Sequence, residues 1–171
     1  MPLVRIDLVK GRDEAQVRAV ADAVHAAVVE VLAVPERDRF QIITEHEASR
    51  IVALDAGLGF ERSDNVVLIQ IFTQAGRSTT VKQQLYATIA DSLSHVGVAG
   101  EDVFIGYVEN TPADWSFGFG RAQYVEGDLE IPAAAWANCS DRPADPSSWP
   151  TGITYPSRCE GDSDLSRNDC P

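Results

Sequence analysis

Asn65-Val66-Val67-Leu68-Ile69-Gln70-Ile71-Phe72 is the strongest strand in the chain. Its near-continuous apolar character predicts burial on both faces. Gln74-Ala75-Gly76-Arg77 then turns the chain, Ser78 or Thr80 is placed to cap, and Val81, Leu85, Ile89, Leu93 and Val96 recur at helical spacing. Gly97 and Gly100 end that helix, and Val103-Phe104-Ile105-Gly106-Tyr107-Val108 reads as a strand. Strand, long helix and strand make one right-handed β-α-β unit with parallel strands.

The same order occurs about sixty residues earlier, the mark of an internal duplication. Leu3-Val4-Arg5-Ile6-Asp7-Leu8 alternates, with Val4, Ile6 and Leu8 on one face. Lys10-Gly11-Arg12 breaks it, and Asp13 with Gln16 three residues on resembles a capping box. Val17, Val20, Ala21, Val24, Ala27, Val28, Val31 and Leu32 make an amphipathic helix that Pro35 stops, and Phe40-Gln41-Ile42-Ile43-Thr44 is a strand. Residues 47–64, with Gly57 and Gly59, predict a loop carrying short strand pieces.

The expected fold class is therefore α/β, in detail an α+β two-layer sandwich. It has a four-stranded sheet with two helices on one face, built from repeats at about 2–46 and 65–109. The opposite sheet face has no helix left to cover it, and its apolar strands predict cover by further copies of the same chain in a closed ring. Residues 2–129 form the expected domain. Residues 130–171 are rich in Pro, Ser and acid, predict an extended or disordered tail, and hold Cys139, Cys159 and Cys170. Three cysteines close no disulfide framework and lack metal-ligand spacing.

Composition narrows the function. The chain has 171 residues, 44% of them hydrophobic and 23% charged, with a formal charge of −12. Only 14 Lys and Arg stand against 26 acids, which argues against a nucleic-acid partner. An anionic substrate would need a local positive site. No apolar run approaches a membrane span of ~20 residues, and the first twenty residues carry charge throughout, so a cytoplasmic protein is expected.

Chemistry concentrates at the start and in one loop. Removal of Met1 would put the secondary amine of Pro2 at the beginning of a strand; an α-amino group titrates near ~8, where surroundings decide between base, nucleophile and cationic acid. Asp114-Trp115-Ser116-Phe117-Gly118-Phe119-Gly120, followed by Tyr124, gathers aromatics and glycines into a loop suited to a pocket wall. His25, His46 and His95 form no triad or metal set and are given structural roles.

Taken together, the opening Met1-Pro2, the duplicated unit, Pro35-Glu36-Arg37-Asp38-Arg39-Phe40, Gly57-Leu58-Gly59-Phe60 and Glu109-Asn110 before Asp114-Trp115-Ser116-Phe117-Gly118 resemble the tautomerase superfamily, and within it the malonate semialdehyde decarboxylase group. The resemblance covers residues 2 to about 129 and stops at the tail. It implies a homotrimer acting on small carbonyl acids without metal or organic cofactor. By it, Pro2 corresponds to the catalytic proline, held as a cation and used as an acid or electrostatic catalyst. Asp38 corresponds to an aspartate orienting the amine or a water, Arg77 to an arginine binding the substrate carboxylate, and Trp115, Phe117 and Tyr124 to an aromatic wall. The better-known members carry a second arginine where Ala75 stands here, which weakens the case for a substrate with two carboxylates.

The implied reaction is malonate semialdehyde to acetaldehyde and CO2. First and third strands running antiparallel as neighbours would bring Pro2 beside Arg77. The cationic amine would then polarise the aldehyde and stabilise the enolate left by CO2, while Arg77 holds the carboxylate. A Schiff base on the amine is the competing route. Alternatives on the same scaffold are hydration or dehalogenation of an unsaturated acid, and keto-enol tautomerisation with Pro2 neutral. A trimeric binding protein without turnover is the alternative of another class.

Overall fold

The computed structural model describes residues 1–129; the tail and its three cysteines lie outside the described residues. Strands β1 (Leu3–Val9), β2 (Phe40–His46), β3 (Val67–Gln74) and β4 (Val103–Asn110) form one sheet in the order β2-β1-β3-β4. Each repeat contributes a parallel pair, β1 with β2 and β3 with β4, and the two repeats meet where β1 runs antiparallel to β3. Helices α1 (Glu14–Leu32) and α2 (Thr79–Ser94) connect the strands of each pair. The α+β sandwich and the duplicated unit are as expected.

Local chemistry sets the helix boundaries. The Asp13 carboxylate accepts from Gln16 N at 2.8 Å while Gln16 Oε1 accepts from Asp13 N at 2.9 Å, so two N-terminal donors of α1 are satisfied reciprocally. Ser78 caps α2 through Val81 N. Val4, Ile6 and Leu8 of β1 and Val67, Ile69 and Ile71 of β3 point one way, onto Val20, Val24 and Val28 of α1 and Leu85, Ile89 and Leu93 of α2. This is the core, and alternation in the strands and helical spacing in the helices both aim into it.

Three expectations are corrected. The connector contains no strand: Ala48–Arg50 is a single 3₁₀ turn, and the rest is held by side chains. Asp55 accepts from the amides of Gly57 and Gly59, and Arg62 donates to the carbonyls of Leu54 and Glu101. The strand expected at 65–72 runs instead over Val67–Gln74, because its pairing with β4 continues to Gln74 opposite Asn110, while the Asn65 carbonyl accepts from Arg12. Finally, β3 is buried on one face only in the single chain: Gln70 is exposed and Leu68 and Phe72 are half-covered. Around them Phe40, Ile42, Phe104 and Val108 are between 43% and 53% exposed, an open apolar sheet face of the kind the sequence anticipated.

Among the described residues no helix is long and apolar enough to cross a membrane. His25 contacts the Glu36 carbonyl, His95 the Asp91 carbonyl and His46 the Asp7 carboxylate.

The connector is fastened to β4 by a buried carboxylate. Asp102, 2% exposed, accepts from both the amide and the hydroxyl of Ser63 at 2.6 Å. Asp102→Ala leaves those donors without their partner, and denaturant unfolding should show a stability loss of about 1–3 kcal/mol with an unchanged slope.

Candidate functional site

The antiparallel β1–β3 pairing places the chemistry. Leu3 lies opposite Phe72, so the next step along both strands sets buried Pro2 against Thr73. Two residues beyond β3, Gly76 adopts φ +119°, a conformation side-chain-bearing residues avoid, and the chain turns back on itself. The Ala75 amide hooks this turn to the Asn110 carbonyl at 2.8 Å. Arg77 therefore folds back over the end of β3, with Nη1 donating to Thr73 Oγ1 at 3.2 Å and to the Gln74 carbonyl at 2.8 Å. Pro2 and Arg77 are brought together at one end of the sheet.

Arg77 is 8% exposed, and among the described residues no carboxylate lies within ion-pair distance of it. A buried guanidinium without a counter-ion is costly, and it favours an anion that arrives from outside. Beside it, Nε2 of Gln74 is buried without a hydrogen bond of ordinary length, the Tyr124 hydroxyl being the group its side chain influences. Such an orphaned donor costs about 1–3 kcal/mol, a sum that a ligand can recover.

Asp38 sits in the turn after α1, where its amide donates to the Pro35 carbonyl at 2.9 Å. Its charge reaches the amino terminus. The Met1 amine donates to Tyr124 Oη at 3.1 Å and is held below the usual range for an α-amine: burial lowers it most, Asp38 opposes by raising it, and Arg77 lowers it further. Burial raises the Tyr124 hydroxyl, as does Asp38, against Arg77 and the Gln74 side chain. Amine and tyrosine thus both feel the charges of Asp38 and Arg77.

The aromatic side chains of the loop pack on one another. Trp115 and Phe117 stack with centroids 5.6 Å apart, Tyr124 meets Phe117 edge-on at 5.3 Å, and Phe40 approaches Phe117 at 6.2 Å. Trp115 Nε1 donates to Asn110 Oδ1 at 2.7 Å, which ties the loop to the end of β4 beside the turn that carries Arg77. Gln123, opening the short helix α3 (Gln123–Glu126), accepts from the Phe117 amide at 2.9 Å and donates to the Gly118 carbonyl at 2.8 Å.

Pro2, Asp38, Arg77, Trp115, Phe117 and Tyr124 converge, then, in one region. Sequence reasoning missed Thr73 and Gln74. Gln74 was legible only as a turn residue, since an amide at a strand end signals a turn as readily as a ligand. Among the described residues no group of three or more His, Cys, Asp or Glu is placed to hold a metal ion. A cleft of about 550 Å³ in the connector, lined in part by Leu54, Asp55, Phe60 and Arg62, includes none of the converging residues.

The loop's conformation depends on Gln123. With Gln123→Ala the Phe117 amide and Gly118 carbonyl lose their partners, and limited proteolysis should cut residues 115–121 several-fold faster than in the parent protein, at about the rate of local opening.

Comparison with known proteins agrees with this geometry. Two family models, each described as tautomerase enzyme, match residues 2–61 and 38–118. The probable tautomerase YrdN of Bacillus subtilis is 42% identical over 75% of this chain and its own full length, and the probable tautomerase YusQ of the same organism is 39% identical over 74% of this chain. Among solved structures, the FG41 malonate semialdehyde decarboxylase inhibited by 3-bromopropiolate is 62% identical, covering 76% of this chain and 99% of its own, with a TM-score of 0.74. A second malonate semialdehyde decarboxylase, described with decarboxylase and hydratase activities, is 40% identical over 74% of this chain and 98% of its own, with a TM-score of 0.71. A symmetric trimer of fused 4-OT, 21% identical with a TM-score of 0.62, shares the fold. By these identities and by its duplicated β-α-β architecture, the chain belongs to the tautomerase superfamily, in its malonate semialdehyde decarboxylase group.

Proposed function

We propose that this chain is a cofactor-independent decarboxylase of a small β-oxo acid, malonate semialdehyde being the preferred substrate, and that it works as a cytoplasmic homotrimer. The reading rests on one juxtaposition: a buried arginine with no carboxylate partner among the described residues, close to an amino terminus whose Met1 amine burial holds below its usual range while Asp38 opposes that shift. The 62% identity to a malonate semialdehyde decarboxylase supports the choice of substrate.

After removal of Met1, the ammonium of Pro2 donates to the aldehyde oxygen while Arg77, with the amide of Gln74, holds the carboxylate. The bond between the carboxylate and the central carbon breaks and CO2 leaves. The electron pair passes into an enolate whose oxygen the Pro2 cation stabilises, and protonation at carbon gives acetaldehyde. Trp115, Phe117 and Tyr124 exclude water, which favours a transition state with dispersed charge over a localised carboxylate. Asp38 keeps the amine charged and orients it. In the trimer, neighbouring copies cover the open sheet face around Phe104 and Val108; a fused 4-OT that shares the fold is a symmetric trimer.

One observation favours a second reading. Burial is the largest influence on the amine and pushes it toward the neutral base that keto-enol tautomerisation needs, and both Bacillus relatives are named probable tautomerases. The two chemistries respond to pH with opposite signs. Decarboxylation by the cation falls as pH rises through the amine pKa, whereas tautomerisation by the free base falls as pH drops through it.

With mass spectrometry confirming that Met1 is absent, purified protein is expected to release acetaldehyde from malonate semialdehyde, with activity declining on the alkaline side. Pro2→Ala should reduce turnover by about 10²-fold or more. Arg77→Ala should reduce kcat/KM by about 10–100-fold, with light scattering showing the trimer intact in both. Absence of turnover in the parent protein, or full turnover in Pro2→Ala, would falsify the reading.

A further inference from the structure

Besides Gln74 Nε2, one other side-chain polar atom among the described residues is buried without a hydrogen-bond partner, the hydroxyl oxygen of Tyr107. Gln74 gives its carbonyl to Arg77, and the Tyr107 hydroxyl lies within reach of the guanidinium charge. Natural structures leave few such atoms unpaired, so two around one arginine without a counter-ion ask for a common cause.

Strand register shows how Tyr107 comes to be there. In β4 it pairs with Ile71, and Glu109 pairs with Thr73, so Tyr107 issues from the sheet face that also carries Thr73 and Pro2, at the same end. Its ring is held in place. Tyr86 of α2 meets it edge-on with centroids 6.5 Å apart, and Lys82 Nζ lies 5.2 Å from its centroid, itself anchored by Glu109 at 2.9 Å. Packed against α2, the ring holds its hydroxyl away from water. Burial pushes that hydroxyl up to about 12, so it is a neutral O–H donor at any working pH.

We propose that Tyr107 is a substrate-binding residue that recognises the carboxylate, its hydroxyl and the free edge of the Arg77 guanidinium receiving the two oxygens of a small monocarboxylic acid. The assignment rests on the reading above that Arg77 faces the substrate. Arg77 has Nη1 committed to Thr73 and Gln74, which leaves its remaining N–H groups for an anion. A site whose buried donors are satisfied only by a carboxylate discriminates strongly against neutral analogues, which leave those donors unpaired. Tyr107 therefore selects the acid over the corresponding aldehyde or alcohol.

The test is Tyr107→Phe in the full-length processed protein, read by titration calorimetry with 3-hydroxypropanoate as an unreactive carboxylate and 1,3-propanediol as its neutral counterpart, and by steady-state kinetics on malonate semialdehyde. The expected result is an affinity for 3-hydroxypropanoate about ten-fold lower or weaker still, a matching rise in KM with little change in kcat, and an unchanged or higher thermal midpoint. A purely structural hydroxyl would leave affinity and KM where they were. That result overturns the proposal, as does a parent protein that binds no carboxylate, or an equal loss of affinity for the diol. If Tyr107→Phe does not fold, 3-fluorotyrosine at position 107 keeps the ring and makes the hydroxyl a stronger donor; it should tighten 3-hydroxypropanoate binding, and unchanged affinity overturns the proposal. Carboxylate binding that depends on Tyr107 without any turnover would sustain this inference and remove the decarboxylase reading. Normal turnover with affinity and KM untouched by Tyr107→Phe would do the reverse.

Discussion

Antiparallel pairing of β1 with β3 is the constraint on which the rest depends. Within each repeat the strands are parallel, and a parallel pair alone would keep the start of a strand far from the end of its neighbour. Because the repeats join head to tail across the sheet centre, residue 2 meets the last turn of β3. The left-handed Gly76 and the Ala75–Asn110 hydrogen bond then return Arg77 over that junction. A duplication that repeats structure thereby yields a site of unlike halves: an amino terminus from one, a cation from the other.

Electrostatics at this junction runs against the chain as a whole. The protein carries a formal charge of −12, yet the site presents a buried arginine with no carboxylate partner among the described residues and, close to it in sequence, Gln74 with an unpaired buried side-chain nitrogen. Net charge governs long-range behaviour, while a desolvated cation governs what binds next to it, because the low local dielectric strengthens short-range terms. Asp38 lies in the same field without neutralising Arg77, and its effect falls on the amine. That division leaves the cation without a carboxylate partner among the described residues while the acid acts on the amine.

The open sheet face links packing to function. Both helices lie on one side, so the other side is left with Phe40, Ile42, Phe104 and Val108 partly in water. Phe40 belongs to that face and also approaches Phe117 of the aromatic loop, so the open face and the loop are continuous. Assembly and site closure are in this sense one packing problem.

Alternation in Leu3–Leu8, helical spacing in α1 and α2, the Asp13–Gln16 capping box and the repetition of strand, helix and strand were all legible in the sequence, because each is encoded within a window of a few turns or strand residues. Pro2, Arg77 and the aromatic loop were likewise visible as residue types with chemistry to offer. Only the tertiary structure decided that the connector has no strand, that β3 is buried on one face, that Arg77 is desolvated, and that Gln74 and Tyr107 carry unpaired polar atoms beside it. The physical reason is range. Periodicity is a local property of the chain, whereas desolvation and hydrogen-bond satisfaction are set by neighbours distant in sequence, and Tyr107 comes under the charge of Arg77 through a strand register that no window around either residue contains.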